Sequence, residues 1–86
     1  MKKIVEEVEQ EGLEALLGDR VILLCANYFY TGKLKGVNGT CVLLDDPAIV
    51  YETGEWGAAK YADEQKLNIK PFYVQMSAIE AFGRSK

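Results

Sequence analysis

Asn38-Gly39 lies between two runs rich in strand formers, residues 32–37 and 40–45. Asn-Gly between such runs specifies a β-hairpin, because both residues tolerate the positive φ of a tight turn. A two-residue turn at 38–39 fixes the pairing. Val37 is then opposite Thr40, Lys35 opposite Val42 and Lys33 opposite Leu44. On the other face Leu34 meets Leu43 and Gly36 meets Cys41. The face carrying Leu34, Cys41 and Leu43 is the expected core side, since strand side chains alternate. Gly32 and Gly36 inside a strand read as a sharp bend, like the corner of a small barrel.

The rest of the chain fits the same plan. Residues 2–17 read as a helix: Ile4, Val5, Val8, Leu13, Leu16 and Leu17 fall on one side and glutamates on the other. Gly12 interrupts that pattern and Gly18 is placed to end it. Residues 20–25 and a run starting at Tyr28 read as strands, as do residues 49–52. Asp45-Asp46-Pro47 reads as a kink or turn between strands, and residues 53–66 as a polar loop carrying Trp56. Residues 67–70 with 72–76 form the next strand and 78–82 the last, before a basic tail. The expected fold is therefore mainly β: an N-terminal α-helix and a strongly bent five-stranded antiparallel sheet of open-barrel type. One domain spans residues 1–86, with the helix at 1–17, the barrel at 18–83 and the tail at 84–86.

Composition narrows the chemistry. The chain has no histidine, which excludes Ser-His and Cys-His catalytic pairs. Cys25 and Cys41 sit in apolar runs and read as free, buried thiols. No Cys-x-x-Cys pair or other tight ligand spacing indicates zinc. No catalytic residue, metal or cofactor is expected. The net charge of −3 resides in residues 1–17, where two lysines face five glutamates, and the remaining residues are balanced. That excludes a strongly basic, non-specific DNA binder but leaves room for a local basic patch. No run approaches the roughly 18 apolar residues of a membrane span. Glu6 and Glu7 interrupt any apolar leader, so the expectation is a cytoplasmic protein without a membrane partner. Trp56 reads either as packing over a barrel mouth or neighbouring subunit, or as a platform for stacking a base.

Gly32-Lys33-Leu34-Lys35-Gly36-Val37-Asn38 resembles the glycine-leucine-glycine-acidic stretch of the first motif of the Sm-like (LSm) superfamily. Cys41-Val42-Leu43-Leu44 falls where that motif continues, and Val74-Gln75-Met76-Ser77-Ala78-Ile79 where the second motif would lie. With the helix and strand order added, the resemblance covers most of the chain. It implies an SH3-type open barrel, assembled through its edge strands into a homo-oligomeric ring that holds single-stranded RNA. Carried over residue by residue, the candidate RNA contacts are Asn38, Thr40 and Gln75, with Lys33 and Lys35 supplying charge. The pattern departs from the family at the sites that matter most. Val42 stands where an asparagine would read a uracil edge, Thr40 where a side chain would stack, and Gln75 and Met76 replace an arginine and a glycine. A uridine pocket of the usual kind is thus not expected. Two functions follow: a non-catalytic RNA-binding ring subunit with an altered pocket, or an oligomeric protein-interaction scaffold of the same fold that has lost RNA binding.

Overall fold

The computed structural model describes residues 3–5 and 11–86. Six antiparallel strands dominate it: β1 Arg20–Cys25, β2 Phe29–Val37, β3 Cys41–Glu52, β4 Asp63–Lys66, β5 Phe72–Gln75 and β6 Ile79–Arg84. They form one sheet in the order β4-β3-β2-β1-β6, with β5 also paired to β3. The sheet does not close on itself. β4 and β5 share the same side of β3, against residues 48–52 and 41–44 respectively. Six strands therefore replace the expected five. Residues 67–70, expected to open a strand with 72–76, form none. Leu67 N–H still donates to the Pro47 carbonyl at 2.8 Å, then the chain leaves β3 and Pro71 has no N–H to donate, so β5 starts at Phe72 while β4 falls within the expected loop.

The expected N-terminal helix is corrected by the structure. Lys3, Ile4 and Val5 are not helical, and among the described residues of 1–17 the one turn of helix is a 3-10 segment, Leu13–Leu16. Gly12 precedes it at φ 72°, a left-handed backbone that ends any helix arriving from the N-terminal side. Residues 1–2 and 6–10, where the rest of that helix was expected, lie outside the described residues. The 3-10 segment packs against β2 and β6, burying Leu13 and half-burying Leu16. Gly18 N–H then donates to the Leu34 carbonyl at 2.8 Å and joins the segment to β2. Among the described residues no helix is long and apolar enough to cross a membrane.

The hairpin closes one residue later than Asn-Gly suggested. Val37 pairs with Val42, and Asn38 N–H donates to the Cys41 carbonyl at 3.0 Å. Neither Asn38 nor Gly39 has positive φ. The Asn38 side chain makes the turn instead: its Oδ1 accepts from Thr40 N–H at 2.8 Å, Thr40 Oγ1 at 2.9 Å and Cys41 N–H at 2.9 Å. Lys35 then bulges, so Leu34 pairs with Leu44 while Gly36 pairs with Leu43. The even shift at the turn, Val37 to Val42 in place of Thr40, keeps the faces, and the bulge turns β3 over relative to Leu34. Leu34, Val42 and Leu44 face the core, and Cys41 and Leu43 are only half-buried.

Residues 40–45 and 49–52 belong to one bent strand rather than two. Asp45-Asp46-Pro47 bends β3 without ending it, and Asp46 sits at φ 49°. Gly32 lies in β2 where the pairing shifts. A Cβ there would stand 3.0 Å from Leu44 Cβ and 3.1 Å from the Asp45 carbonyl oxygen. Close approach of β2 and β3 at the bend therefore requires glycine.

Two apolar clusters result. Val21, Leu23, Cys25, Leu34, Val42, Leu44 and Val74 form the main core with Leu13, between the bent halves of the sheet. Each fully buried Leu or Val contributes about 1.5–3 kcal/mol. Ile22, Val50 and Tyr61 form the second cluster on the opposite face, with Leu24 and Phe29 against it. The loop between β3 and β4 supplies Tyr61 and covers this face.

Candidate functional site

Strand alternation and the late-closing hairpin together build an open pocket with both polar and apolar walls. Cys41 pairs with Gln75, and Leu43 with Tyr73. Because Phe72 and Val74 turn inward, Tyr73 and Gln75 share the outer face of β5. The chain then turns at Met76–Ala78, and Met76 N–H donates to the Thr40 carbonyl at 2.8 Å. That bond ties the end of β5 to the hairpin tip. Gly39, Thr40, Cys41, Tyr73, Gln75, Met76 and Ser77 line an open pocket of ≈ 530 Å³.

Of the five sequence-predicted site residues, Thr40 and Gln75 meet in this pocket. Asn38 stands beside it, with its side-chain oxygen committed to three hydrogen bonds within the turn. Lys33 and Lys35 are exposed on β2 and do not line the pocket. Lys33 lies between Arg20 of β1 and Asp45 of β3, so an acid neighbours it across the ladder. No cationic side chain is among the lining residues. The site offers the Gln75 amide, the Thr40 hydroxyl as an acceptor and the Tyr73 ring, which is 57% exposed. Such a set can hydrogen-bond a neutral polar edge and stack a planar group, but it cannot neutralise a phosphate.

Tyr73 was missed as a site residue by the motif comparison. Its signal was present as period-two alternation: inward Phe72 and Val74 require outward Tyr73 and Gln75.

Several other charges are paired away from the pocket. Arg20 donates to the Asp46 carbonyl at 3.2 Å and to Thr31 Oγ1 at 3.1 Å, and lies 3.7 Å from Glu64 Oε2. Thr31, fully buried, donates in turn to Glu64. Lys66 reaches the Asp46 carboxylate at 3.3 Å. Asp45 and Asp46 thus do not converge as a pair. Asp46 serves the bend in β3 and joins it to β1 and β4.

Trp56 contacts Phe29 and Tyr61 with ring centroids 6.4 and 6.3 Å away, yet stays 57% exposed. It packs over the second apolar cluster, on a different part of the surface from the pocket.

Compared with known proteins, the chain matches no family model, no curated protein and no solved structure.

Proposed function

We propose that the chain is a non-catalytic subunit of a homo-oligomeric, Sm-like ring whose pocket of Thr40, Tyr73 and Gln75 takes a base or ribose edge of single-stranded RNA. The observation that carries the reading is the union of the hairpin tip with the end of β5, which brings Thr40 and Gln75 to one pocket beside an exposed ring. The strand path supports it. Counted with β4 and β5 as one interrupted strand, the path is a four-stranded meander whose last strand, β6, returns to pair with β1, which gives a five-stranded antiparallel sheet like the one the family resemblance implies.

The edges support assembly. β4 and β5 pair on one side only, with β3, and β6 only with β1. Exposed Tyr73 on β5 and Phe82 on β6 lie on these edges, and β5 carries no charged residue to block pairing. Pairing β5 of one copy with β6 of the next would satisfy both edges and bury apolar surface that a domain of this size needs. A pocket without a cation implies weak binding per subunit, multiplied around the ring.

Light scattering after gel filtration tests the assembly. The wild type is expected as an oligomer, and Tyr73→Lys as a monomer with unchanged far-UV circular dichroism. A monomeric wild type at micromolar concentration sinks the ring. Fluorescence anisotropy with oligo-A, oligo-U and mixed RNA tests the ligand. Thr40→Ala combined with Gln75→Ala is expected to weaken binding several-fold while the oligomer persists.

The absence of any cation in the pocket favours a second reading, a ring-shaped protein-interaction scaffold without RNA. An intact oligomer that binds none of the three RNAs at low salt selects it.

A further inference from the structure

The loop between β3 and β4 holds a positively charged group in a cage that backbone and ring atoms build together. Lys86 Nζ donates to the carbonyl oxygens of Glu55, Trp56 and Ala58 at 3.2, 3.2 and 3.0 Å. An ammonium group has three N–H donors, and all three have a carbonyl acceptor here. The same nitrogen stands 4.7 Å from the Tyr61 ring centroid and 5.7 Å from that of Trp56, within cation–π range of both. The two rings meet edge to face, at an interplanar angle of 87°. The loop has its own turn, with Ala58 N–H donating to the Glu55 carbonyl at 3.0 Å, which turns these carbonyls toward one point. Tyr61 is fixed separately by its hydroxyl, 3.0 Å from Ser85 Oγ.

From this geometry we infer that residues 55–61 form a binding site for a primary ammonium group, which the chain fills with its own Lys86. The ligand class is a lysyl side chain or another primary alkylammonium. Three carbonyls select a nitrogen that carries three hydrogens, and the rings stabilise its charge. Lys86 acts as an internal ligand that competes with any lysine offered from outside. Its charge also governs the loop. Trp56 and Tyr61 cover the cluster of Ile22, Val50 and Phe29, and the ammonium is the group that both rings and all three carbonyls share. Neutralising or removing Lys86 leaves the carbonyls without their donor and frees the loop to lift from that face.

Trp56 is the sole tryptophan, so its emission reports on the cage directly. The test is chemical rescue in the full chain. Lys86→Ala is expected to shift Trp56 emission to the red, and n-butylammonium chloride to restore the wild-type spectrum with saturation, at ionic strength matched with sodium chloride. The wild type should need about tenfold more n-butylammonium for any response, because Lys86 already occupies the site. N-butyl-trimethylammonium, which has the charge but no N–H, should not restore the spectrum. Far-UV circular dichroism monitors folding, and Lys86→Met, which keeps an unbranched side chain one atom shorter and without the charge, replaces Lys86→Ala if that variant does not fold. Unchanged emission in both variants overturns the inference. So does an equal response of wild type and variant to n-butylammonium, or rescue by the quaternary ion as good as by the primary one.

Discussion

Gly32→Ala and Gly36→Ala should have opposite signs, although both glycines belong to the same stretch of β2. At Gly32 the new methyl would stand 3.0 Å from Leu44 Cβ, 3.1 Å from the Asp45 carbonyl oxygen and 3.3 Å from Leu44 Cδ1. Neither neighbour can move freely. Leu44 is 2% exposed and pairs with both β2 and β5, while the Asp45 oxygen is backbone at the bend of β3. Overpacking of this kind costs about 1–3 kcal/mol. Alanine returns about 0.4–1 kcal/mol by restricting the unfolded chain, since Gly32 is not in a left-handed conformation. Taking the midpoints, the net loss is about 1.3 kcal/mol, or a fall in Tm of roughly 5–10 °C for a domain of this size. At Gly36 the nearest atom to a new methyl is Leu43 Cβ at 3.7 Å, an ordinary contact. There the gain of about 0.4–1 kcal/mol should stand alone. Urea titration at fixed protein concentration, followed by Trp56 fluorescence and circular dichroism, measures both. Equal effects of the two substitutions would refute the claim that close approach at the bend is what requires glycine at 32.

Asn38→Ala removes the acceptor for Thr40 N–H, Thr40 Oγ1 and Cys41 N–H, and should destabilise by about 1–2 kcal/mol in the same titration while leaving Asn38→Asp near wild type. Burial, then the charge of Glu80, pushes the Cys25 thiol above its ordinary value of 9.0. Between that value and the raised native one the unfolded chain holds fewer protons than the folded chain, so stability should fall as pH rises above about 9, and Cys25→Ala should flatten that fall. Cys41, which lines the open pocket, should react with an aromatic disulfide reagent well before Cys25 does.

Strand-forming runs were legible wherever local propensity and burial agreed. Residues 20–25, the run after Tyr28 and residues 72–75 became β1, β2 and β5 for that reason. The register was not legible. It depends on one side-chain oxygen, that of Asn38, bridging the turn, and on a bulge at Lys35, neither of which alternation reveals. The helix failed at Gly12, where a left-handed backbone outweighs the apolar periodicity of Leu13, Leu16 and Leu17. β4 was read as loop because Asp63-Glu64-Gln65-Lys66 is a polar edge strand, held by the ladder to β3 and not by its own composition. In the site, motif position found Thr40 and Gln75, but the lysines follow β2 away from the pocket. The Lys86 cage lay beyond reach of sequence because its acceptors are main-chain carbonyls, which every residue carries.

The break between β4 and β5 separates two decisions that a continuous strand would have to make together. A one-residue slip in a strand turns all of its side chains to the wrong face. In an unbroken fourth strand, a slip against residues 48–52 would propagate to residues 41–44 and evict Val74 from the core. Here residues 67–71 absorb the mismatch, and each short strand finds its own alignment on β3. The polar edge at Asp63–Lys66 can therefore change its sequence, length or alignment without disturbing the placement of Tyr73 and Gln75. The gap works as a register insulator: β4 can shift on its half of this edge while β5 and the pocket beside it, on the other half of the same edge, stay in place.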